Sequence, residues 1–538
     1  MRKSRWWWIG LGVLAFGVVA GSSAIYAIYH AEPRVRAKII ETLSARFHAR
    51  VELAGLSASV SHGLQVSGTG LKIFGADDPN PYEPGVQPLL AIGEFQFSAG
   101  VLGLMHSPMR VHRVYLRGLE INIPPKEQRA QNDTSWKKEK IKILVDEFVC
   151  DQARLIINTL KPGKPPLEFA ISDLYMKDIG PGQPLHFDAI LINPKPVGKI
   201  QSSGYFGPWQ PDNLRSTPVR GQYSFSNADL STIKGIGGIL SSTGSYHGNM
   251  GGIVVDGKTE TPDFRLAISD HPVPLSTEFH AIVDGTSGDT YLQPVNARLQ
   301  NSDLIAKGSV VRMKNQSGHK IVLDVVTKGA RIEDLLRVAL KPEPPAMIGK
   351  ADFNAKFELH PGSESVADRL DLAGKFEISG AKFTNATIQA RVDELSERSL
   401  GKPALANSEQ AEVIQSEVEG AFSMRNGLLS FSDLRFHAPG ASVHMVGSYQ
   451  LDGSMFDFHG KTDLNAKVSQ LVTGWKSKLL KPVDPFFSKN GAGTEVPIKV
   501  TGTKSQLHFG LDWGHRKQEA KDKAPTANAE SAKKDAQR

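Results

Sequence analysis

Cysteine is almost absent from this chain. Among 538 residues there is one, Cys150, so no disulfide can form within the chain. If the protein folds in an oxidising compartment, sheet packing must supply the stability that disulfides give to many exported domains. Cys150 ends the apolar run Phe148-Val149-Cys150. This position predicts a small buried side chain rather than a nucleophile.

Catalytic and metal-binding motifs are also missing. The sequence has no Gly-x-Ser-x-Gly elbow and no His-Glu-x-x-His helix, and its 16 histidines are scattered without zinc-ligand spacing. We interpret His437 and His444, like His106 and His112, as surface histidines. The sequence therefore predicts no catalytic, cofactor-binding or metal-ligating residue, and it favours a protein that is not an enzyme.

One spacing typical of a nucleotide site does occur, at residues 252–259. A phosphate-binding loop needs a glycine-rich turn that opens a helix facing the phosphate. Here Ile253-Val254-Val255 predicts a strand and Asp256-Gly257 predicts a hairpin turn. Pro262 follows where the helix would have to continue. We therefore interpret this segment as a strand and not as a nucleotide site.

Excess charge of one sign is small. The formal net charge is +7, and the surplus lies near the N-terminus and in the C-terminal tail. This distribution is typical of a solvated surface, and contact with anionic lipid head groups is the alternative. No basic stripe is interleaved with aromatic residues, so the sequence predicts no nucleic-acid partner.

The first thirty residues contain the one long hydrophobic run. Basic residues precede an apolar segment over residues 6–29, with three tryptophans at one end and two tyrosines at the other. A helix of that length spans roughly 35 Å, enough to cross a bilayer. We predict a cytoplasmic stub at residues 1–5 and an uncleaved membrane anchor at residues 6–29. A signal peptide cleaved near Ala20 or Ala24 is the alternative.

Helical periodicity occurs next and then fades. Val35, Ile39, Leu43 and Phe47 recur every four residues and predict a short amphipathic helix, which packs on the adjoining sheet or lies on the membrane surface. Further short helices are predicted near residues 229–234, 332–340 and 468–480. Loops are predicted at 79–88, 124–136, 342–345 and 396–410, and the polar segment 514–538 predicts a disordered tail.

Most of the chain alternates with a period of two. The clearest segments are residues 350–360, 372–378, 418–424 and 443–451, each with one apolar and one polar face. The turn dipeptides Asn426-Gly427, Asp452-Gly453 and Asp284-Gly285 separate such segments, as in β-hairpins. We predict a mainly β protein: one transmembrane helix followed by a long, curled antiparallel sheet with a few short helices.

A sheet with one apolar face must cover that face. Predicted helices are too few to do so, which leaves a sandwich-like packing of sheets or a curled groove that acyl chains occupy. In the groove interpretation, aromatic side chains of the alternating segments line the surface without specific polar contacts. These lipid-groove candidates are Phe353, Phe357, Phe376, Phe422 and Tyr449. In the alternative they are ordinary core residues.

Three stretches together resemble the AsmA family of Gram-negative envelope proteins. The first follows the N-terminal span and amphipathic helix, and contains VELAGL (51–56), GLQV (63–66) and GLKI (70–73). The second contains NADL (227–230), GSYHG (244–248), TPDF (261–264) and DGTSGDT (284–290). The third contains residues 447–460, PFF (485–487) and VPIKVTGT (496–503). Their shared order, rather than any single motif, carries the resemblance.

The resemblance implies an inner-membrane anchor, a periplasmic body, and a role in lipid traffic or outer-membrane biogenesis. It implies a chorein-like N-terminal segment over residues 30–125, a central β region over 126–345 and an AsmA-like C-terminal region over 346–513. The implied partners are membrane lipids and envelope assembly proteins, with no cofactor. Two alternatives stay open: a non-catalytic envelope scaffold with a packed β core, and an exported hydrolase.

Overall fold

The computed structural model describes most of the chain between residues 50 and 512. It describes residues 37, 40, 41, 43 and 44, and then residues 50–512 except 60–63, 75–86, 101–108, 125–142, 160–165, 211–212, 314–317, 342, 363, 365, 402–413, 452, 471–480, 482–492 and 504–505. The predicted anchor at 6–29 and the predicted tail at 514–538 lie outside these residues. Among the described residues, no helix is long and apolar enough to cross a membrane.

The described part of the chain is mainly β-strand, and its 25 strands are hydrogen-bonded into one mixed sheet. The first thirteen strands are β1 (Val51–Glu52), β2 (Gly55–Ser59), β3 (Leu64–Ile73), β4 (Leu90–Ala99), β5 (Met109–Ile123), β6 (Ile143–Ile157), β7 (Leu167–Ile179), β8 (Leu185–Pro194), β9 (Val197–Phe206), β10 (Pro218–Asp229), β11 (Ile236–Gly237), β12 (Ile239–Asn249) and β13 (Gly252–Leu266). The remaining strands are β14 (Val273–Val283), β15 (Thr290–Leu299), β16 (Ser302–Arg312), β17 (His319–Arg331), β18 (Met347–Leu359), β19 (Leu370–Phe383), β20 (Ser416–Arg425), β21 (Leu428–Ala438), β22 (Ala441–Gln450), β23 (Phe456–Leu464), β24 (Thr494–Thr503) and β25 (Gln506–Leu511).

Helices interrupt the described strands at few places. The described residues 37, 40, 41, 43 and 44 are helical. Within residues 50–512 the described α-helices are α1 (Ile332–Ala339), α2 (Val366–Arg369) and α3 (Ala386–Ser399), and 3₁₀ turns occur at Leu214–Ser216, Leu230–Thr232 and Val468–Gln470. The helix predicted near 332–340 is confirmed, because α1 occupies that position. The helix predicted near 229–234 is a single 3₁₀ turn, in which the side chain of Asp229 accepts a hydrogen bond from the Ser231 N–H.

Helix α3 was not predicted, and the loop predicted at 396–410 begins inside it. Its N-cap follows the usual rule, since the side chain of Asn385 accepts a hydrogen bond from the Ile388 N–H at 3.1 Å. The residues that α3 buries are polar: Gln389 and Ser396 hydrogen-bond to the backbone of neighbouring segments. The apolar pattern therefore carries little of the signal for this helix.

The expectation of a purely antiparallel sheet was wrong at one pair of strands. Strands β5 and β6 are parallel, with Leu116 opposite Cys150. A parallel pair needs a crossover connection of about a dozen residues or more, and the long segment 124–142 separates the two strands. Its first part, residues 124–136, was predicted as a loop from its proline content and lack of periodicity, but the length of the whole segment also allows the crossover. All other strand pairs described below are antiparallel.

Residues 252–259 form the beginning of β13, which confirms the strand interpretation. The turn predicted at Asp256-Gly257 was wrong, because both residues lie within that strand and pair with β12. The turn at Asn426-Gly427 is confirmed: both residues have positive φ, as a two-residue hairpin turn requires. Turn geometry, rather than the dipeptide alone, distinguishes the two cases.

The chain divides into two compact units. Unit 1 contains the chain up to Phe264 together with Ser276–Tyr291, and unit 2 contains Arg265–Leu275 and the chain from Leu292 onward. Unit 1 has a closed core over its first strands, where Val66, Phe95 and Val114 are buried. Leu43 of the short helix is 1% exposed and belongs to this core. The described part of the amphipathic helix predicted from Val35 to Phe47 therefore packs on the sheet.

Candidate functional site

The two faces of the sheet in unit 2 differ completely in chemistry. The strand register from β17 to β24 places three rows of residues side by side on one face, which we call the apolar face. The first row is Thr327, Phe353, Phe376, Gly420, Leu434, Met445, Gly460 and Ile498. The second is Val325, Ala355, Gly374, Phe422, Phe431, Gly447, Phe458 and Val500. The third is Leu323, Phe357, Leu372, Met424, Leu429, Tyr449, Phe456 and Gly502.

No Asp, Glu, Lys or Arg occupies these three rows of the described strands. Antiparallel strands alternate their side chains between faces, so an unbroken period of two in every strand is required to produce such a surface. Bulges in β17, β19 and β21 each shift the register by a residue or two, and the apolar set returns to the same face after each bulge. The separation of faces thus holds across eight strands.

Aromatic rings form a continuous series across the apolar face. The ring centroids of Phe376 and Phe422 are 6.1 Å apart, those of Phe376 and Phe431 are 6.4 Å apart, and those of Phe431 and Phe458 are 5.9 Å apart. Such separations are typical of favourable tilted and edge-to-face pairs. The series therefore ties together strands β19, β20, β21 and β23.

Glycine on a neighbouring strand makes room for these rings. A Cβ added at Gly420 would lie 3.0 Å from the ring of Phe376, and one added at Gly447 would lie 2.7 Å from the ring of Phe458. Each ring consequently lies over backbone rather than over another side chain. The result is a shallow aromatic surface instead of an interdigitated core.

Helix α1 covers one end of the apolar face. Ile332 and Leu335 of α1, with residues of β18, β19 and β20, line an apolar cavity of about 210 Å³. The strand residues in this lining are Ala351, Phe353, Phe376, Ile378 and Phe422. Ala351 and Ile378 are buried, whereas the three phenylalanines are only partly buried. The cavity is therefore a partly covered part of the same face.

The five residues predicted as lipid-groove candidates all lie on the apolar face and are all partly buried. Phe353, Phe376 and Phe422 line the cavity beside α1. Phe357 and Tyr449 belong to the third row, away from that cavity. Phe357 pairs with Leu372 across β18 and β19, and the ring of Tyr449 lies 4.4 Å from that of Phe456.

Three aromatic members of the face were missed by sequence reasoning, and one of them, Phe456, lies in the third row. Phe431 and Phe458 lie in the second row, beside Phe422. The hairpin at Asn426-Gly427 contained the signal, because a two-residue turn pairs Arg425 with Leu428 and so places Phe431 opposite Phe422. The contribution of α1 to the cavity had no comparable signal in the sequence.

The opposite face of unit 2 is a network of charges. Glu358 accepts from both Lys320 (2.8 Å) and Lys356 (2.7 Å), and these two ammonium groups lower the pKa of Glu358 to about 2. Arg435 similarly contacts Glu419 at 3.1 Å and Asp433 at 3.0 Å. Solvent screens such exposed pairs, so we assign them to solubility and register more than to stability.

Unit 1 contains a pocket of about 380 Å³ whose polar side chains bear on the hydrolase alternative. Its lining includes Ser98, Arg110, His112 and Asp146. His112 Nδ1 lies 3.3 Å from Asp146 Oδ2, and Arg110 Nε donates to the same carboxylate at 2.8 Å. No hydrogen bond joins Ser98 to His112 in the described structure. A nucleophile activated by a neighbouring base requires that contact, so this cluster supports no catalytic assignment.

The other candidate groups for chemistry that lie within the described residues have ordinary environments, and His106 lies outside those residues. Cys150 is buried, as predicted, and burial together with the charge of Asp151 raises its pKa to about 12. His437 lies 3.8 Å from Glu419 and His444 lies 2.9 Å from Asp433, both on the charged face. Within the described residues, no group of three His, Cys, Asp or Glu side chains is placed to hold a metal ion.

No model of a known protein family matches this sequence, and no curated protein matches it either.

Proposed function

We propose that this chain is an inner-membrane-anchored periplasmic protein of AsmA type. In this proposal it binds or conveys lipid, or supports outer-membrane biogenesis, through the apolar face of its sheet. Membrane lipids are its ligands, and envelope assembly proteins are its further partners. The anchor is residues 6–29, and no catalytic step is involved.

One observation carries the proposal: the apolar face combines a lack of charge with incomplete burial. An ordinary core of this size would bury its aromatic residues, as the first strands of unit 1 do with Phe95 and Phe97. In unit 2, Phe353, Phe357 and Phe376 remain partly exposed. Soluble proteins rarely leave a contiguous apolar surface of this extent open, and such surfaces mark binding sites for apolar partners.

Acyl chains fit this surface better than a compact polar ligand does. The three rows run across many strands and offer dispersion contacts along their whole length, but they offer no charged group that would hold a ligand at one point. The charged network lies on the other side of the sheet. Head groups would consequently stay in water at the edges of the apolar face.

A non-catalytic envelope scaffold is the second candidate. The closed core of β1 to β6 supports it, because the apolar side chains of that core are buried against one another. The two candidates differ in what contacts Phe357. In the scaffold, Phe357 touches only protein.

Photo-crosslinking in cells tests the proposal. A photoreactive residue is placed separately at Phe357, at Lys356 and at Leu116, and mass spectrometry then identifies attached lipid. Phe357 lies on the apolar face, Lys356 is its exposed neighbour on the charged face, and Leu116 is buried in the closed core. We expect lipid at Phe357 alone. Adducts confined to protein at Phe357 would favour the scaffold, and equal lipid at Lys356 would indicate adsorption without a groove.

A further inference from the structure

Two tyrosines lie flat across the sheet of unit 1, each over glycines of neighbouring strands. Tyr246 of β12 reaches over Gly221 of β10, where an added Cβ would lie 2.5 Å from the tyrosine Oη. Tyr223 of β10 reaches the other way over Gly244 and Gly257, where an added Cβ would lie 2.8 Å from its ring and 2.6 Å from its Oη. We call these five residues the tyrosine platform.

The hydroxyl groups of the platform have complementary roles. Ser202 donates its one hydrogen to the carbonyl of Gln222 at 3.0 Å, so in its 2.8 Å contact with Tyr246 the tyrosine must be the donor. The Oη of Tyr246 then keeps its acceptor capacity. Burial raises the pKa of Tyr246, which keeps this phenol protonated.

At the other tyrosine the roles are reversed. Ser242 is 7% exposed and contacts Tyr223 Oη at 3.1 Å. If Tyr223 were the donor, the hydrogen of the buried Ser242 would lack an acceptor in the described structure, at a cost in free energy. Ser242 therefore donates to Tyr223, and the phenol hydrogen of Tyr223 stays available to a ligand.

The platform is polar but carries no charge. Its Oη atoms lie over Gly221 of β10 and Gly257 of β13, with β12 between these strands and an offset of two residues along them. Two partly buried phenylalanines adjoin it on the same face, Phe187 and Phe225, beside the hydroxyl-bearing Ser202 and Ser242. A donor and an acceptor thus flank two flat rings, with phenylalanine side chains nearby.

We propose that the tyrosine platform binds the sugar head group of an uncharged glycolipid. The C–H face of a sugar ring packs on flat aromatic rings, and its hydroxyls both donate to Tyr246 Oη and accept from Tyr223 Oη. The lipid chains of the same molecule lie on the flanking phenylalanines. A phosphate or carboxylate head group would lack a cationic partner here. This inference rests on the proposed function only in that the sheet meets membrane lipid.

The test uses the full chain with phosphatidylcholine vesicles that contain a hexosyl diacylglycerol carrying a photoreactive group on its sugar. We expect adducts on β9, β10, β12 or β13. The double variant Tyr223→Phe, Tyr246→Phe should show about tenfold less labelling, because the loss of each hydrogen bond lowers the affinity about threefold to tenfold. Both substitutions keep the rings in place. Tyr205→Phe is the matched control, since Tyr205 lies on the opposite face of β9 and is 42% exposed.

Three outcomes would overturn the inference. The first is unchanged labelling of the double variant, and the second is an equal loss of labelling in Tyr205→Phe. The third is displacement of the probe by the same concentration of free hexose, because a soluble sugar would then be the ligand. Phosphatidylcholine with a photoreactive acyl chain is run in parallel. If it labels Phe357 while the sugar probe misses the platform, the inference fails and the proposed function stands. If it labels no residue of the apolar face, the proposed function itself fails.

Discussion

Removal of one ring from the middle of the aromatic series measures how far the apolar face stabilises unit 2. Phe376→Ala deletes the ring that contacts Phe422 and Phe431 and that lines the cavity beside α1. Truncation of a fully buried phenylalanine costs about 3–5 kcal/mol. Phe376 is partly buried, so we expect roughly half, about 2 kcal/mol, including the lost ring pairs.

Hydrogen exchange followed by mass spectrometry is the appropriate assay, because a chain with two units does not unfold in a single transition. A local loss of about 2 kcal/mol accelerates amide exchange about thirtyfold. We expect this acceleration in peptides from β18 to β21 and none in peptides from β3 to β6. Lys375→Ala is the matched control, because Lys375 is the preceding residue of β19 and is exposed on the charged face.

An acceleration below threefold in Phe376→Ala would refute the assignment of the ring series as a stabilising element. A similar acceleration in Lys375→Ala would refute it as well, since the effect would then follow from the strand and not from its apolar face. Repeating the measurement with lipid vesicles extends the test. Bound lipid should slow exchange in the parent chain.

Two further predictions concern titrating groups. Burial holds the pKa of Cys150 at about 12, so its thiol should stay unmodified by a maleimide at pH 8 in the folded chain and should react after denaturation. Rapid reaction of the folded chain would contradict the burial of Cys150. Hydrogen bonds from His459 to Asp512 (2.6 Å) and Asp457 (2.9 Å) raise the histidine pKa above its ordinary value of 6.5. The stabilisation from these hydrogen bonds is complete below pH 6.5 and is lost as the pH rises through the pKa of His459 in the folded chain. We therefore expect β25 to lose exchange protection in that pH window. The variant His459→Asn should remove this pH dependence. Protection of β25 that is independent of pH in the parent chain would contradict the assignment.

Local sequence patterns predicted the strands, but they did not predict every pairing between strands or every helix. The alternation in residues 350–360 predicted β18 and the face of Phe353 and Phe357, because side chains of a strand must alternate. The crossover that makes β5 and β6 parallel left no local pattern, since segment 124–142 is compatible with either direction. Helix α3 was missed for a related reason: it packs through Gln389 and Ser396, whose hydrogen bonds exist only after folding.

In the candidate site, too, the sequence predicted some features and others arise only from contacts between distant segments. Phe353, Phe376 and Phe422 were predicted to share a face, and the structure places them around one cavity. That α1 covers this cavity depends on contacts between segments that no periodicity encodes. The tyrosine platform likewise needs Gly221 and Gly257 beneath the rings, and glycines on other strands become neighbours only through the register.

The sequence by itself therefore determined the mainly β character, the chemistry of the two faces, and the hairpin at Asn426-Gly427. These properties follow from the period of a strand and the conformational preferences of single residues, which act over a few positions. Only the tertiary structure decided which rings meet, where glycines make room for them, and which part of the apolar face stays open. Those outcomes depend on register and bulges across many strands, where a shift of one residue moves a side chain to the opposite face.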